Sequence, residues 1–179
     1  MSTQGSWERR GGQLPERVRV AADLVDPRPG RRVLEIGCGS GVMTDVLCRR
    51  GAQVVAIDRS PTAVDRARHR NAEHLAAGYV ELHETALADF RYDGSRFDAI
   101  VGVDVNTFWT GNAEEEVRRV TELLAPDGVV VLVHTPPDRS GTHRAAWLVP
   151  AALQAGGLVA ETEHRGDLIC ITARRATAA

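Results

Sequence analysis

At 179 residues, 43% of them apolar and 26% charged, the chain has the length of one domain, an ordinary globular composition, and enough residues to bury a real core. Its net charge of −2 offers no overall basic field to nucleic acid or an anionic membrane, and disfavours a large polyanionic substrate. All 22 basic residues are arginine, which excludes a Walker A phosphate loop, because that loop needs its lysine.

Cys38, Cys48 and Cys170 are scattered, with no Cys-x-x-Cys pair and no histidine at ligand spacing, so reduced thiols and no metal site are expected. No apolar run is long enough to cross a bilayer, and the amino terminus lacks the apolar core of a signal peptide; the expected setting is cytoplasmic, with no membrane partner. Residues 1–12 read as a flexible tail and residues 13–179 as a single domain. Trp7, in that tail, is either an anchor packed on the domain or one wall of a ligand pocket.

Leu14, Val18, Ala21, Ala22 and Val25 fit one face of a helix over residues 14–25, with Pro15 tolerated in its first turn. Asp26-Pro27-Arg28-Pro29-Gly30 breaks that helix. Val33-Leu34-Glu35-Ile36 then reads as a short buried strand. The Gly37-Cys38-Gly39-Ser40-Gly41 loop after it has lost its side chains where backbone must lie against a ligand. Glu35 sits at the carboxyl end of the strand, where ligands bind in open α/β sheets, and an acid there suits a ligand carrying positive charge. The loop feeds a helix over residues 42–50, whose free amides suit a carboxylate.

Glycine spacing separates two cofactor classes. The dinucleotide fingerprint is Gly-x-Gly-x-x-Gly, and here Gly41 comes one residue early, with Val42 in the position of the third glycine. Glu35-x-Gly37-x-Gly39-x-Gly41 instead resembles the first motif of the class I S-adenosylmethionine-dependent methyltransferases.

The downstream chain is consistent with that resemblance. A second buried strand, residues 53–57, ends at Asp58, placed to accept hydrogen bonds from both hydroxyls of a ribose. Both adenosyl cofactors need that contact. Ser60-Pro61 caps and opens a helix expected to run to residue 76 or 77, and residues 79–83 form a third strand. Many family members carry an acid after this strand that reaches the adenine amino group. Here Glu84-Thr85-Ala86-Leu87 stands in its place, leaving Glu84, Asp89 or backbone around Ala86 to serve. Phe97-Asp98 followed by an apolar run to Asp104 resembles the fourth strand of the family, which ends at the transferable methyl; Asp98 lies at the wrong end for chemistry and reads as structural. Val103-Asp104-Val105-Asn106 replaces the Asn-Pro-Pro-Tyr of the adenine and glutamine amino-methylating branches. Asn112 with Glu115 has the form of a capping box opening a helix through Leu124. Residues 123–128 resemble the turn into a fifth strand, 129–133, and a loop from His134 through Gly141 follows. A helix over 147–155, two strands over 159–163 and 168–172, and a loose tail from 174 complete the chain.

The resemblance implies an α/β fold: a doubly wound, mostly parallel seven-stranded sheet with an antiparallel last strand. It implies S-adenosyl-L-methionine as cofactor and S-adenosyl-L-homocysteine as product, held by Glu35, Gly37, Cys38, Gly39, Gly41, Asp58, Arg59, Ala86 and Val103. If the methyl acceptor is a hydroxyl, a histidine is the natural proton acceptor. His134 is the first candidate and His143 the second, each with a surface or hydrogen-bonded role as its alternative. Asp104 is placed to orient an amine or touch the cofactor. Three readings stay open: methylation of an oxygen or nitrogen nucleophile of a small molecule, methylation of RNA or protein, and non-catalytic binding of an adenosyl ligand. Charge favours the first and disfavours a nucleic-acid partner. Phe108, Trp109, Trp7 and Trp147 are candidate pocket walls, with core packing as their rival role, and a homodimer is one way to complete the pocket.

Overall fold

Apolar runs alternating with amphipathic helices lead to parallel strands joined by crossovers, because a parallel neighbour is reached only by carrying the chain back over one face of the sheet. The computed structural model describes residues 13–136 and 143–176. Along the chain these form α1 (Glu16–Val25), β1 (Arg32–Ile36), α2 (Val42–Arg49), β2 (Gln53–Asp58), α3 (Pro61–Arg70), α4 (Ala72–Ala76), β3 (Val80–Glu84), β4 (Phe97–Val103), α5 (Glu114–Leu123), β5 (Leu124–His134), α6 (Ala145–Ala155), β6 (Leu158–Arg165) and β7 (Leu168–Arg175). The sheet has seven strands in the order β3-β2-β1-β4-β5-β7-β6. β1 to β5 are parallel, and β7 runs antiparallel to both its neighbours. The order reverses between β1 and β4, and a crevice at such a switch point is where an open α/β sheet takes its ligand.

The central strands are apolar on both faces because both are covered. Val33, Val54, Ala56, Val101 and Val131 pack towards α1 and α2, whereas Leu34, Ile36, Val55, Ile57 and Ile100 pack towards α5 and α6. From β3 to β4 the chain crosses without a helix. Rings fill that gap: His83, Phe90, Tyr92 and Phe97 form a ladder with centroids 5.5, 5.8 and 5.2 Å apart. Phe90 and Phe97 are buried, and each contributes about 2–3 kcal/mol by leaving water. Asp98 accepts the backbone N–H of Arg32 at 2.9 Å, tying the amino ends of β4 and β1 together.

Several boundaries differ from the sequence reading, each for a tertiary reason. The helix expected to continue from Ser60 to residue 76 or 77 divides at Asn71. That side chain is fully buried and donates to the carbonyls of Gly41, at 3.1 Å, and Ala67, at 2.9 Å, so its amide serves the glycine loop. The capping box is not formed: Asn112 accepts the Glu114 N–H at 3.2 Å, while Glu115 turns to Arg118. The expected turn at residues 123–128 is a bulge within β5, with Leu124 opposite Phe97 and Val129 opposite Ala99. The final hairpin is longer than expected. Its strands reach Arg165 and Arg175, and the Arg175 guanidinium donates to the carbonyls of Thr121 and Leu124, holding residues read as a loose tail against the end of α5.

Candidate functional site

The glycine loop folds back over β2, with the N–H groups of Gly37 and Cys38 both donating to the Ile57 carbonyl at 2.8 and 3.0 Å. Gly37, Gly39 and Gly41 all have positive φ, but their surroundings differ. A Cβ at Gly41 would lie 2.4 Å from Asn71 Nδ2 and 2.9 Å from Ala67 Cα, whereas one at Gly39 would meet nothing within 4 Å. Gly41 is therefore required by the protein's own packing, and Gly39 faces open space.

Asp58 closes the loop from the next strand. One carboxylate oxygen accepts the Gly39 N–H at 2.9 Å and the other the Ser60 N–H at 2.9 Å, and each oxygen keeps a further acceptor site. It borders a cavity of about 360 Å³ that is also lined by Gly37, Arg59, Ala86, Val103 and Glu116. That volume falls in the range of small-ligand sites. Apolar walls from Ile57, Leu87 and Val105 beside three carboxylates, Asp58, Asp104 and Glu116, fit a nucleoside: a flat base between aliphatic side chains and a sugar diol on an acid.

Of the residues the sequence assigned to the cofactor, Glu35, Cys38, Gly39 and Gly41 do not line this cavity. Strand alternation turns Glu35 to the α2 side, beneath the loop, where it is 3% exposed and accepts the Thr44 hydroxyl at 2.5 Å. Burial pushes its pKa up to about 8, against the Thr44 hydrogen bond and with a smaller push from Asp58. Cys38 is buried too, and burial, then the negative charges of Glu35 and Asp58, push its thiol far above the usual range. Glu84 and Asp89 are exposed and absent from the cavity lining, whereas Glu116, in the first turn of α5, is part of it. No sequence motif singled that acid out; its place in the first turn of the helix after β4 was the available signal.

At the carboxyl ends of β4 and β5 a polar cluster gathers. Asp104 has φ 54° and is held from three elements: its N–H donates to the Val133 carbonyl at 2.9 Å, its carboxylate accepts the Thr135 N–H at 2.7 Å, and Arg17 of α1 lies 2.9 Å away. The Arg17 pair is exposed and contributes at most about 1 kcal/mol. His134 is 3% exposed, and its Nε2 has no hydrogen-bond partner among the described residues. Burial pushes its pKa down to about 4; Asp104 acts in the opposite sense and His143 adds to the depression. His143 accepts the Ala145 N–H at 3.4 Å and meets the Trp109 ring edge-on at 5.0 Å. The structure thus brings His134, His143 and Asp104 together. Phe108 is 1% exposed and belongs to the core. Trp147 stands out on α6, and Trp7 lies outside the described residues, as does the 137–142 part of the loop after β5.

Among the described residues no cluster of three or more His, Cys, Asp or Glu could hold a metal ion. Nor is any described helix long and apolar enough to cross a membrane.

Comparison with known proteins gives four matches. A family model described as a methyltransferase domain matches residues 33–128. The chain is 37% identical over 114 residues to a magnesium-protoporphyrin O-methyltransferase of Rhodobacter capsulatus, covering 64% of this chain and 49% of that one. It is also 31% identical over 170 residues to a ubiquinone biosynthesis O-methyltransferase of Xanthomonas campestris, covering 91% of this chain and 69% of that one. Among solved structures, the CcbJ methyltransferase of Streptomyces caelestis superposes with a TM-score of 0.77 at 16% identity, covering 92% of this chain and 97% of that one. The chain spans about half the length of several curated relatives it matches.

Proposed function

The chain belongs to the class I S-adenosylmethionine-dependent methyltransferases, and from that premise we propose that it methylates an oxygen or nitrogen nucleophile of a small, partly apolar molecule. The observation that carries the cofactor half of this reading is Asp58, bordering a cavity of nucleoside size at the switch point of the sheet. The small-molecule half is supported by the net charge of −2 and by the names of two relatives, a magnesium-protoporphyrin O-methyltransferase of Rhodobacter and an O-methyltransferase of ubiquinone biosynthesis of Xanthomonas. Buried thiols such as Cys38 suit a reducing, cytoplasmic setting.

In this reading Asp58 accepts the ribose hydroxyls, Ile57, Leu87 and Val105 flank the base, and Glu116 accepts from the adenine amino group in place of the acid absent after β3. S-adenosyl-L-methionine, when bound, supplies an electrophilic methyl group. Such a displacement needs donor and acceptor held close and in line, so positioning is the main task of the protein.

The two histidines divide the remaining work. Taking a proton from a phenol, whose pKa is ~10, onto His134 at about 4 is uphill by ~8 kcal/mol. His134 is therefore assigned to orientation, its neutral Nε2 accepting a hydrogen bond, and His143, less buried and backed by Trp109, is assigned to accept the proton. Asp104, committed to Arg17 and Thr135, holds the ends of α1, β4 and β5 in place.

The test is a methyl-transfer screen from isotopically labelled S-adenosyl-L-methionine over small phenols, carboxylic acids and amines, with RNA and protein extracts as competitors. Label in a small molecule is the expected result. Label only in a macromolecule overturns the acceptor class, and binding of S-adenosyl-L-homocysteine with no transfer to any acceptor overturns the enzymatic reading.

A further inference from the structure

The hollow between α5 and α6, on the side of α5 away from Glu116, measures about 1410 Å³, beyond the ~300–1,000 Å³ of small-ligand sites. Its floor is mostly aliphatic, with Val117 of α5 beside Leu148, Ala151, Ala152 and Ala155 of α6. α6 has Gln154 as its one polar residue, and a helix apolar all round is a buried helix, yet only Ala145, Val149 and Leu153 are buried here. Trp147 and Leu148 are 56% and 37% exposed.

Around that floor the charge is positive. Arg96, Arg118, Arg144 and Arg175 line the hollow against the carboxylates of Glu114 and Glu122. Glu122 is already shared by Arg118 and Arg119, and Arg118 also pairs with Glu115. Arg96 and Arg144 have no carboxylate partner among the described residues. The Arg175 guanidinium gives its hydrogen bonds to the Thr121 and Leu124 carbonyls, which leaves its charge uncompensated. Position matters as much as sign. Arg144 precedes α6, at the carboxyl edge of the parallel strands, whereas Arg96 precedes Phe97, opposite Leu124 at the amino edge, where Arg175 bonds too. Uncompensated cations thus stand at both ends of a groove as long as α6, whose 11 residues span ~16 Å.

We propose that this groove docks an acidic, amphipathic helix of a partner protein, its apolar stripe on the α5–α6 floor and its carboxylates towards Arg96, Arg144 and Arg175. The inference does not depend on the chemistry assigned to the glycine-loop site.

Other occupants fit less well. An anion with a single head group meets one end of the groove and leaves the other uncompensated. A second copy of this chain, packed about a two-fold axis through the groove, sets arginine against arginine. The first twelve residues of the chain carry Arg9 and Arg10 against Glu8, the wrong sign. Nucleic acid supplies charge along its length but stacks on aromatic rings, whereas α6 offers leucine and alanine to the floor. An amphipathic helix meets both demands, because residues three and four apart form one apolar face while acids on its flanks run its whole length.

The test is fluorescence anisotropy with a labelled synthetic peptide about four helical turns long, carrying leucine at the i, i+3, i+4 and i+7 positions and glutamate on both flanks. It should bind the full chain saturably and more weakly as salt screens the exposed charges, and the same peptide with lysine in place of glutamate should not bind. The Arg96→Glu/Arg144→Glu double variant should weaken binding roughly tenfold, the sum of two exposed ion pairs, and Ala151→Phe, which fills the floor, should abolish it. Both variants change exposed side chains and should keep the circular dichroism of the wild type and its affinity for S-adenosyl-L-homocysteine. No binding of the acidic peptide, equal binding of the lysine peptide, or unchanged binding to either variant overturns the proposal. So does displacement of the peptide by oleate or by a single-stranded oligonucleotide at a lower concentration than by unlabelled peptide, which would give the groove to a lipid anion or to nucleic acid, and so does a wild type that sediments as a dimer which Ala151→Phe makes monomeric.

Discussion

Replacing Glu35 by glutamine should remove a large and specific pH dependence of stability. The folded carboxyl has a pKa of about 8 against an ordinary value of 4.5, so folding favours its protonated form. For a raised pKa the contribution is fully present below the unfolded value and is lost as pH rises towards the folded one. The window is therefore pH 4.5 to 8, with a slope of ~1.4 kcal/mol per pH unit. Across that window the loss approaches ~5 kcal/mol, a large part of the 5–15 kcal/mol that holds a typical domain together. Glutamine cannot ionise, yet its carbonyl still accepts the Thr44 hydroxyl. Urea unfolding of both ligand-free proteins at pH 5, 6, 7 and 8 isolates this group, because other titrating side chains, His134 among them, cancel in the difference. Wild type minus Glu35→Gln stability should fall steadily across the series. A difference that stays constant with pH would refute the reasoning, since it would mean that the buried acid is as well solvated folded as unfolded.

Gly41→Ala should cost several kcal/mol, because its Cβ would meet Asn71 and the Ala67 backbone at under 3 Å, whereas Gly39→Ala should cost only the ~1–2 kcal/mol of a left-handed residue; chemical unfolding of the two variants ranks them. His143→Ala should lower kcat with a hydroxyl acceptor and flatten the pH–rate profile, while His134→Gln should mainly raise KM for the acceptor. The reverse pattern would exchange their roles. Glu116→Ala should weaken S-adenosyl-L-homocysteine by roughly tenfold, the size of one charge-assisted hydrogen bond, with only a small loss of thermal stability, because an acid in the first turn of a helix contributes at most about 1 kcal/mol; unchanged affinity by calorimetry would remove it from the adenine site.

Much of the architecture could be read in advance because it depends on local patterning. The apolar strands and the serine and proline opening α3 each act within a few residues of themselves. Asp58 was legible for the same reason: its place at the end of β2 follows from chain order. What escaped depends on contacts between distant segments. The break at Asn71 arises because its amide reaches Gly41, thirty positions earlier, and nothing in the sequence around Asn71 announces that partner. The direction of Glu35 was hidden by a strand apolar on both faces, although parity with Val33 places it towards α2. Phe108 looked like a pocket wall until the packing of α5 enclosed it, and the ladder from His83 to Phe97 took the place of a crossover helix in a stretch with no periodicity to read. Glu116 was obscured by its neighbours, three acids in a row at a helix start, of which one turns inward to the cavity.

The most direct test of the central assignment is calorimetric titration of the ligand-free protein with S-adenosyl-L-homocysteine, beside NAD and beside the Asp58→Ala variant. Loss of charge-assisted hydrogen bonds to a ribose is worth about 1.5–3 kcal/mol, so the expected result is saturable binding of S-adenosyl-L-homocysteine to the wild type, weakened roughly 10- to 100-fold in the variant, with no heat from NAD. Equal affinity in wild type and variant, or tighter binding of NAD, would contradict it.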